Sequence, residues 1–334
     1  MIKRIWAQIK YSFNYAFFNE YRFRRVVRRH FMQFYTQDAP RATNKNKMII
    51  AMFDGRRNHG GLADRLRGIC TTYCYCRDNG LDFRVHFTSP FDLEDFLEPN
   101  IYDWRIADKE ISYNIKDSHP VYISSQNYDE ERDKKFQRRM TKKFLKGNYR
   151  QLHIYTNMRF EEERFGEAFN ELFRPAQWLQ KLIDEQISFL GGRGSYIVVS
   201  TRFREVLGDF NEHRDQAANG VSEEKAERLL QQCKEKVLEI HRTHPDDLIL
   251  ATSDSNRFLN YMAQFDFVRT LPGKIGHMEI AGEEKEIHTK TFLDFMVLSA
   301  AKNIYFLVGE GMYRGNFSRR ASQINDVPFN EIFF

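Results

Sequence analysis

The sequence predicts an α/β protein, with two Rossmann-like domains facing a cleft behind a basic-aromatic helical segment. Three observations carry that reading. Strand and helix signals alternate in two separate series, one around residues 48–87 and one across 196–324. The 334-residue length suits two domains of roughly 150 residues each. The composition, 42% hydrophobic and 15% aromatic, is globular, and no run of about 18 uncharged apolar residues could span a bilayer. The expected boundaries are 1–46 for the basic segment and its linker, 47–170 for the first Rossmann-like domain, and 171–334 for the second.

The N-terminal segment stands apart in charge. Lys3, Arg4, Lys10, Arg22, Arg24, Arg25, Arg28 and Arg29 face only Glu20 and Asp38 within residues 1–38. The net charge of +5 is therefore carried there, and the rest of the chain sums to −1. A body that bound nucleic acid would itself be basic, so none is expected as a partner. Residues 1–36 also hold Trp6, Phe13, Phe17, Phe18, Phe31 and Phe34 and no Gly or Pro. Such helices fit an anionic membrane surface, or a face packed on the body. The opening MIKRIWAQIK is charged every few residues, so no signal-peptide core is expected. The polar stretch 37–47 reads as a linker.

Met48–Phe53 is a buried-strand signal, followed by a turn. A helical pattern with Leu62, Leu66, Ile69 and Tyr73 on one face runs to about Asn79, stopped by Gly80. Phe83–Phe87 is the next strand, which completes a βαβ unit and implies a parallel sheet. Residues 128–150 are basic and read as a solvated helix face. In the second series, strands are expected at Tyr196–Ser200, Leu248–Thr252, Phe265–Val268 and Asn303–Val308. Helices are expected from Ser222 to about His241, over Asn256–Gln264, over Thr289–Ala301, and from Asn316 to about Ile324. Cys70, Cys74, Cys76 and Cys233 lack zinc spacing and are expected to be reduced core thiols of a cytosolic protein.

Ligands in doubly wound sheets sit at the carboxyl ends of strands, so the turns there are the candidate sites. The first is Asp54–Arg67, where Gly60 and Gly61 let backbone pass close to a ligand and Asp64 and Arg65 add charge at a helix start. It is neither G-x-G-x-x-G nor a Walker A loop. The second is Thr201-Arg202-Phe203-Arg204-Glu205; an arginine there calls for an anion, either a diphosphate or a structural partner such as Glu205 or Asp209. The third is Ala251-Thr252-Ser253-Asp254-Ser255, which offers a carboxylate to a base or ribose, or a helix cap. The fourth, Gly309–Ser318, presents Gly311, Asn316, Phe317 and Ser318 at another helix start.

In order and spacing these turns resemble the fucosyltransferase-like glycosyltransferases of GT-B architecture, which include the α-1,2-, α-1,6- and protein O-fucosyltransferases. Gly61-Leu62-Ala63-Asp64-Arg65 is similar to their Gly-Leu-Gly-Asn-Arg turn. Ser200-Thr201-Arg202 keeps the Arg of His-x-Arg. Ala251–Ser255 matches Ala-Thr-Asp-Asp/Ser, and Asn316-Phe317-Ser318 matches Ser-x-Phe-Ser/Thr. The resemblance spans about residues 48–325. It implies inverting, metal-independent transfer without a cofactor, from GDP-fucose or another nucleotide sugar to a glycan or lipid-linked glycan hydroxyl. It further implies a bacterial surface-glycan enzyme, and the basic-aromatic segment 1–36 leads us to expect a cytoplasmic protein peripheral on the inner face of the membrane. By that analogy Arg202 clamps the β-phosphate, Asp254 with Ser255 meets the base, Ser318 and its neighbours hold the diphosphate, and Gly60–Arg65 covers the sugar. With no metal expected, arginine must neutralise the leaving group, Arg202 first and Arg65 second. Asp64, Glu205 and Asp209 are the candidate catalytic bases. A non-catalytic nucleotide-binding module of the same fold is the alternative.

Overall fold

A computed structural model describes residues 25–44, 46–123, 145–157, 162–209, 221–278 and 284–334, with the isolated residues 138, 139 and 142. Most of the basic 128–150 stretch and of residues 1–36 lies outside these. The chain divides into two compact units. The first takes in the described residues up to His59, with Arg65–Ser89 and Asp103–Glu162; the second takes in Gly60–Asp64, Pro90–Tyr102 and Glu163–Phe334.

The first unit is a four-stranded parallel sheet of β1 (Met48–Phe53), β2 (Asp82–Phe87), β4 (Ser118–Ile123) and β5 (Gln151–Thr156), in the order β2-β1-β5-β4. Helix α1 (Leu62–Asp78) makes the crossover that a parallel β1–β2 pair requires. Its Gly68 is obligatory: a β-carbon there would lie 2.4 Å from the Thr156 carbonyl. β1 is buried on both faces, as its unbroken apolar run predicts.

β4 and β5 are absent from the sequence reading, and β5 shows why. It is wholly buried yet reads Gln-Leu-His-Ile-Tyr-Thr. Its polar groups are satisfied inside: Gln151 Oε1 accepts from Ser112 N (2.8 Å), Gln151 Nε2 donates to the Glu110 carbonyl (2.6 Å), and His153 lies between Gln151 Oε1 (3.0 Å) and Tyr35 Oη (2.6 Å). A hydropathy pattern registers none of this.

The end of the N-terminal segment belongs to this unit's core. Residues Val27–Phe34 form short helical turns, and Phe31 is fully buried, stacked on Tyr155 at 4.1 Å. Phe31 and Tyr35 share a cluster with Met48, Ile50, Met52, Tyr122 and Tyr155. The stretch expected as a loose linker is fastened: Asp117 accepts from Arg41 Nε (2.6 Å) and Ala42 N (2.9 Å), and Asn114 donates to the Gln37 and Ala39 carbonyls. Charge and short polar side chains make the contacts, so the segment looks like a linker by composition alone.

The second unit is a five-stranded parallel sheet, ordered β11-β10-β7-β8-β9. Its strands are β7 (Tyr196–Thr201), β8 (Leu248–Thr252), β9 (Val268–Arg269), β10 (Asn303–Val308) and β11 (Phe329–Phe333). A small antiparallel pair, β3 (Leu97–Pro99) with β6 (Phe173–Pro175), belongs to the same unit. Helices α2 (Phe165–Leu172), α3 (Gln177–Phe189), α4 (Glu223–Thr243), α5 (Asn256–Met262), α6 (Lys285–Leu298) and α7 (Phe317–Ile324) complete it. α6 starts four residues earlier than its pattern suggests. β9 shrinks to two residues, while Phe265 and Phe267 serve the core beside it as packed rings. The chain fills β7, β8 and β9 outward, then returns to the other side of β7 for β10 and β11. The strand order therefore reverses between β7 and β10. All four cysteines are buried free thiols, as expected.

Candidate functional site

The second unit's site lies at the carboxyl ends of β7, β8 and β10, around that reversal. β7 is buried throughout and delivers Arg202 immediately after Thr201. The next residue, Phe203, plunges into the core against Phe258 at 5.3 Å. The chain can reverse so sharply because Arg204 takes a left-handed conformation, φ 55°. For a non-glycine residue that costs about 1–2 kcal/mol, so surrounding contacts must hold it.

Asp254, after β8, supplies that hold. Its Oδ1 accepts from Phe203 N (2.8 Å) and its Oδ2 from Arg204 N (2.7 Å), with Arg202 Nε 3.4 Å from Oδ2. Burial raises the carboxyl above the ordinary aspartate range, against the pull of Arg202 and the two amides. Beside it, Thr201 Oγ1 donates to Ser253 Oγ (2.9 Å). Ser255 Oγ accepts from Phe258 N, which caps α5, and donates to Asp209 Oδ2 (2.9 Å). Asp209 Oδ2 also accepts from Arg257 N (2.8 Å).

From the β10 side, Tyr313 N donates to the Arg202 carbonyl (2.9 Å), and the Tyr313 ring lies 4.9 Å beneath the Arg204 guanidinium. A methyl on Gly315 would sit 3.8 Å from Arg202 Cγ. Gly311 is left-handed, φ 83°, as a tight turn into α7 requires. Arg202 is thus held at its carbonyl and at Nε, while its side chain keeps 28% exposure.

The structure brings Arg202, Glu205, Asp209, Asp254 and Ser255 into one pair of adjoining turns, with the Gly311–Gly315 turn beside them. Asp254 sets one oxygen on each of two amides of the neighbouring turn, with Arg202 beside the second. Ser255 and Asp209 are caps. Ser318 is buried, and Phe317 packs on Phe295 at 5.1 Å; both serve the scaffold. Asn316 precedes α7 and accepts from Arg320 N through its carbonyl (2.9 Å). Arg65 is buried in the first unit, donating to the Ser89 carbonyl (2.9 Å) with its guanidinium over Phe87. Gly60 is left-handed, φ 84°, and a β-carbon there would meet Asp64 Oδ2 at 2.6 Å; Gly61 shows no such constraint. Glu205 Oε1 is buried without a partner among the described residues. Sequence reasoning placed Arg204 and Tyr313 in the second and fourth turns but gave neither a role; their stacking is revealed only by the β7–β10 adjacency.

The donor set around Arg202 is a fixed guanidinium beside glycine-rich backbone at a strand-order reversal, an arrangement that suits a diphosphate. No protein-family model matches the chain, and a search of curated proteins finds no significant relative. Solved structures do match. The NodZ α-1,6-fucosyltransferase of Bradyrhizobium superposes with a TM-score of 0.55 at 15% identity, over 84% of this chain and 93% of that one. The fold is that of the fucosyltransferase-like GT-B glycosyltransferases. NodZ soaked with GDP-fucose gives a TM-score of 0.54 at 14% identity. FUT1 of Arabidopsis thaliana in complex with GDP gives 0.52 at 12% identity, over 88% of this chain and 71% of that one.

Proposed function

We propose that the chain is a glycosyltransferase that moves a sugar, fucose from GDP-fucose, to a glycan hydroxyl with inversion and without a metal. The observation that carries the reading is Arg202: a guanidinium fixed at the β7/β10 reversal by Asp254 and by the Tyr313 amide. NodZ, an α-1,6-fucosyltransferase soaked with GDP-fucose, and a FUT1 mutant in complex with GDP share this fold.

In the proposed reaction the acceptor oxygen attacks C1 of the sugar in line with the departing diphosphate. Charge grows on that diphosphate as the C1–O bond breaks. Arg202 meets it at no cost of reorganisation, because its position is set before the donor arrives. The glycine-rich turn Gly309–Gly315 lets backbone approach the phosphates. Glu205, whose buried Oε1 is unpartnered among the described residues, is a better candidate base than Asp209, whose Oδ2 serves as a cap. The Asp246-Asp247 pair is no alternative charge centre, because Asp247 is tied to Lys302 (2.8 Å) at the amino end of β8.

The test has two arms. A thermal-shift panel of GDP, UDP, ADP and CMP should raise the melting point for GDP above the others. Arg202→Ala should lower transfer from GDP-fucose at least about 10²-fold, about 3 kcal/mol, with the fold intact by circular dichroism. Near-normal turnover in that variant removes the central assignment. We also place the enzyme on an anionic cytoplasmic membrane face through residues 1–24, in surface-glycan synthesis. Anionic liposomes should sediment the full chain and spare one that begins at Arg25.

A further inference from the structure

The first unit has a strand-order reversal of its own, between β1 and β5. Groups gather at its carboxyl edge that the donor site does not use. Asp54, straight after β1, is fully engaged: Oδ2 accepts from Tyr155 Oη (2.9 Å) and Arg56 Nη1 (2.9 Å), and Oδ1 accepts from Arg56 N (3.1 Å). The Arg56 guanidinium is held between the rings of Phe34 (4.5 Å) and Tyr113 (4.1 Å).

Arg57 is different. Its guanidinium rides on the Tyr122 ring at 4.7 Å, and its one hydrogen bond among the described residues is a long one, 3.4 Å, from Nη2 to Tyr122 Oη. No carboxylate among those residues pairs with it, and its buried Nε has no partner there. Two residues on, His59 is 2% exposed and packs on Phe53 (4.5 Å) and, nearly parallel, on Tyr155 (6.1 Å). Its ring donates to the Thr156 carbonyl at the end of β5, while Nε2 is buried and unpartnered among the described residues. Burial, then Arg65 and Arg57, keep the imidazole neutral, so Nε2 is an acceptor. Among the described residues, a cation without an anion and an acceptor without a donor therefore lie in one turn, at the place where this kind of sheet binds ligands.

We infer that this edge binds an acidic glycan acceptor, with a carboxylate or phosphate on the Arg57 fork and an adjacent sugar hydroxyl donating to His59 Nε2. The inference rests on the glycosyl-transfer reading, for which it names the acceptor class. Arginine suits the role because its planar fork meets two oxygens at once, and the Tyr122 ring holds that plane.

The test is calorimetric binding to the full chain with no donor present. The probes are a glucose disaccharide, the same disaccharide ending in glucuronate, and its 6-phosphate. The inference expects at least one acidic probe to bind tenfold or more tightly than the neutral one, and the tighter of the two names the anion. Arg57→Gln should erase that preference and leave GDP binding intact, while Arg57→Lys should keep only part of it. His59→Phe should weaken acidic and neutral probes by a common factor. Equal binding of all three probes, no binding at millimolar concentration, or a preference that survives Arg57→Gln overturns the inference. Failure of the donor reading shows separately, as absent GDP binding in the same sample. If Arg57→Gln does not fold, the wild-type preference and its loss at high salt decide the question.

Discussion

Acid should destabilise the first unit through two imidazoles. Burial holds His59 and His153 down to about 3, far below the ordinary histidine value of 6.5. In the unfolded chain both take up a proton as pH falls through 6.5; in the folded unit neither does until far lower. The unfolded state thus binds more protons between these values, so stability is full above pH 6.5 and falls below it. At pH 5 each imidazole removes ~2 kcal/mol, and the pair ~4 kcal/mol, a large part of a typical domain's 5–15 kcal/mol. The structure supports counting both. His153 is held between the Tyr35 hydroxyl and Gln151 Oε1, and a proton on Nδ1 would face the Tyr35 hydroxyl's own hydrogen. The assay is urea unfolding at constant ionic strength, at pH 7.5 and pH 5, followed by tryptophan fluorescence. Replacing Trp6 and Trp178 with Phe leaves Trp104, 1% exposed within the first unit, as the reporter. His59→Phe should halve the loss. A transition free energy that is the same at both pH values would refute the burial argument.

Other outcomes follow from the same contacts. Asp254→Ala leaves the Phe203 and Arg204 amides without their acceptor and releases Arg202, so GDP affinity, by titration calorimetry, should fall at least about tenfold. Gly166→Ala places a methyl 1.8 Å from the Gln323 carbonyl, and Gly68→Ala places one 2.4 Å from that of Thr156. Each should lower stability by about 3 kcal/mol in denaturant, because backbone cannot yield as a side chain does. Phe31→Ala empties a fully buried ring site stacked on Tyr155 and should cost about 3–5 kcal/mol, read from the Trp104 transition.

The sheet strands with pure apolar runs were legible in sequence: β1, β7, β8 and β10 lie where their patterns place them. So was α1, whose apolar face recurs at helical spacing. What stayed hidden was structure made by polar satisfaction or by distance along the chain. β5 carries Gln151 and His153 inside, and only partners from residues 35, 110 and 112 make that tolerable. β11 alternates weakly, and its Glu331 accepts from Arg314 and Arg319. Phe31 gives no local sign that it enters a core about 120 residues away in sequence. The basic and aromatic character of residues 1–36 was visible, but not that Phe31 and Tyr35 enter the first unit's core.

The candidate site shows the same boundary between pattern and geometry. A charged residue after a buried strand can serve a ligand or a turn, and the sequence signal is identical. The number of committed atoms decides. Asp254 has an amide donor on each oxygen and a guanidinium beside one, so the turn already uses much of its acceptor capacity. Arg57 shows the reverse: it is oriented at one edge by the Tyr122 ring, with no carboxylate on its guanidinium among the described residues. Arginine cannot lose its charge to escape burial. A half-buried guanidinium held this way is stable only beside water or an anion, and the strand-order reversal puts Arg57 where a ligand's anion would arrive. Orientation without neutralisation, rather than an arginine codon after a strand, is therefore the mark that separates a binding cation from a structural one such as Arg314, whose guanidinium is closed on Glu331.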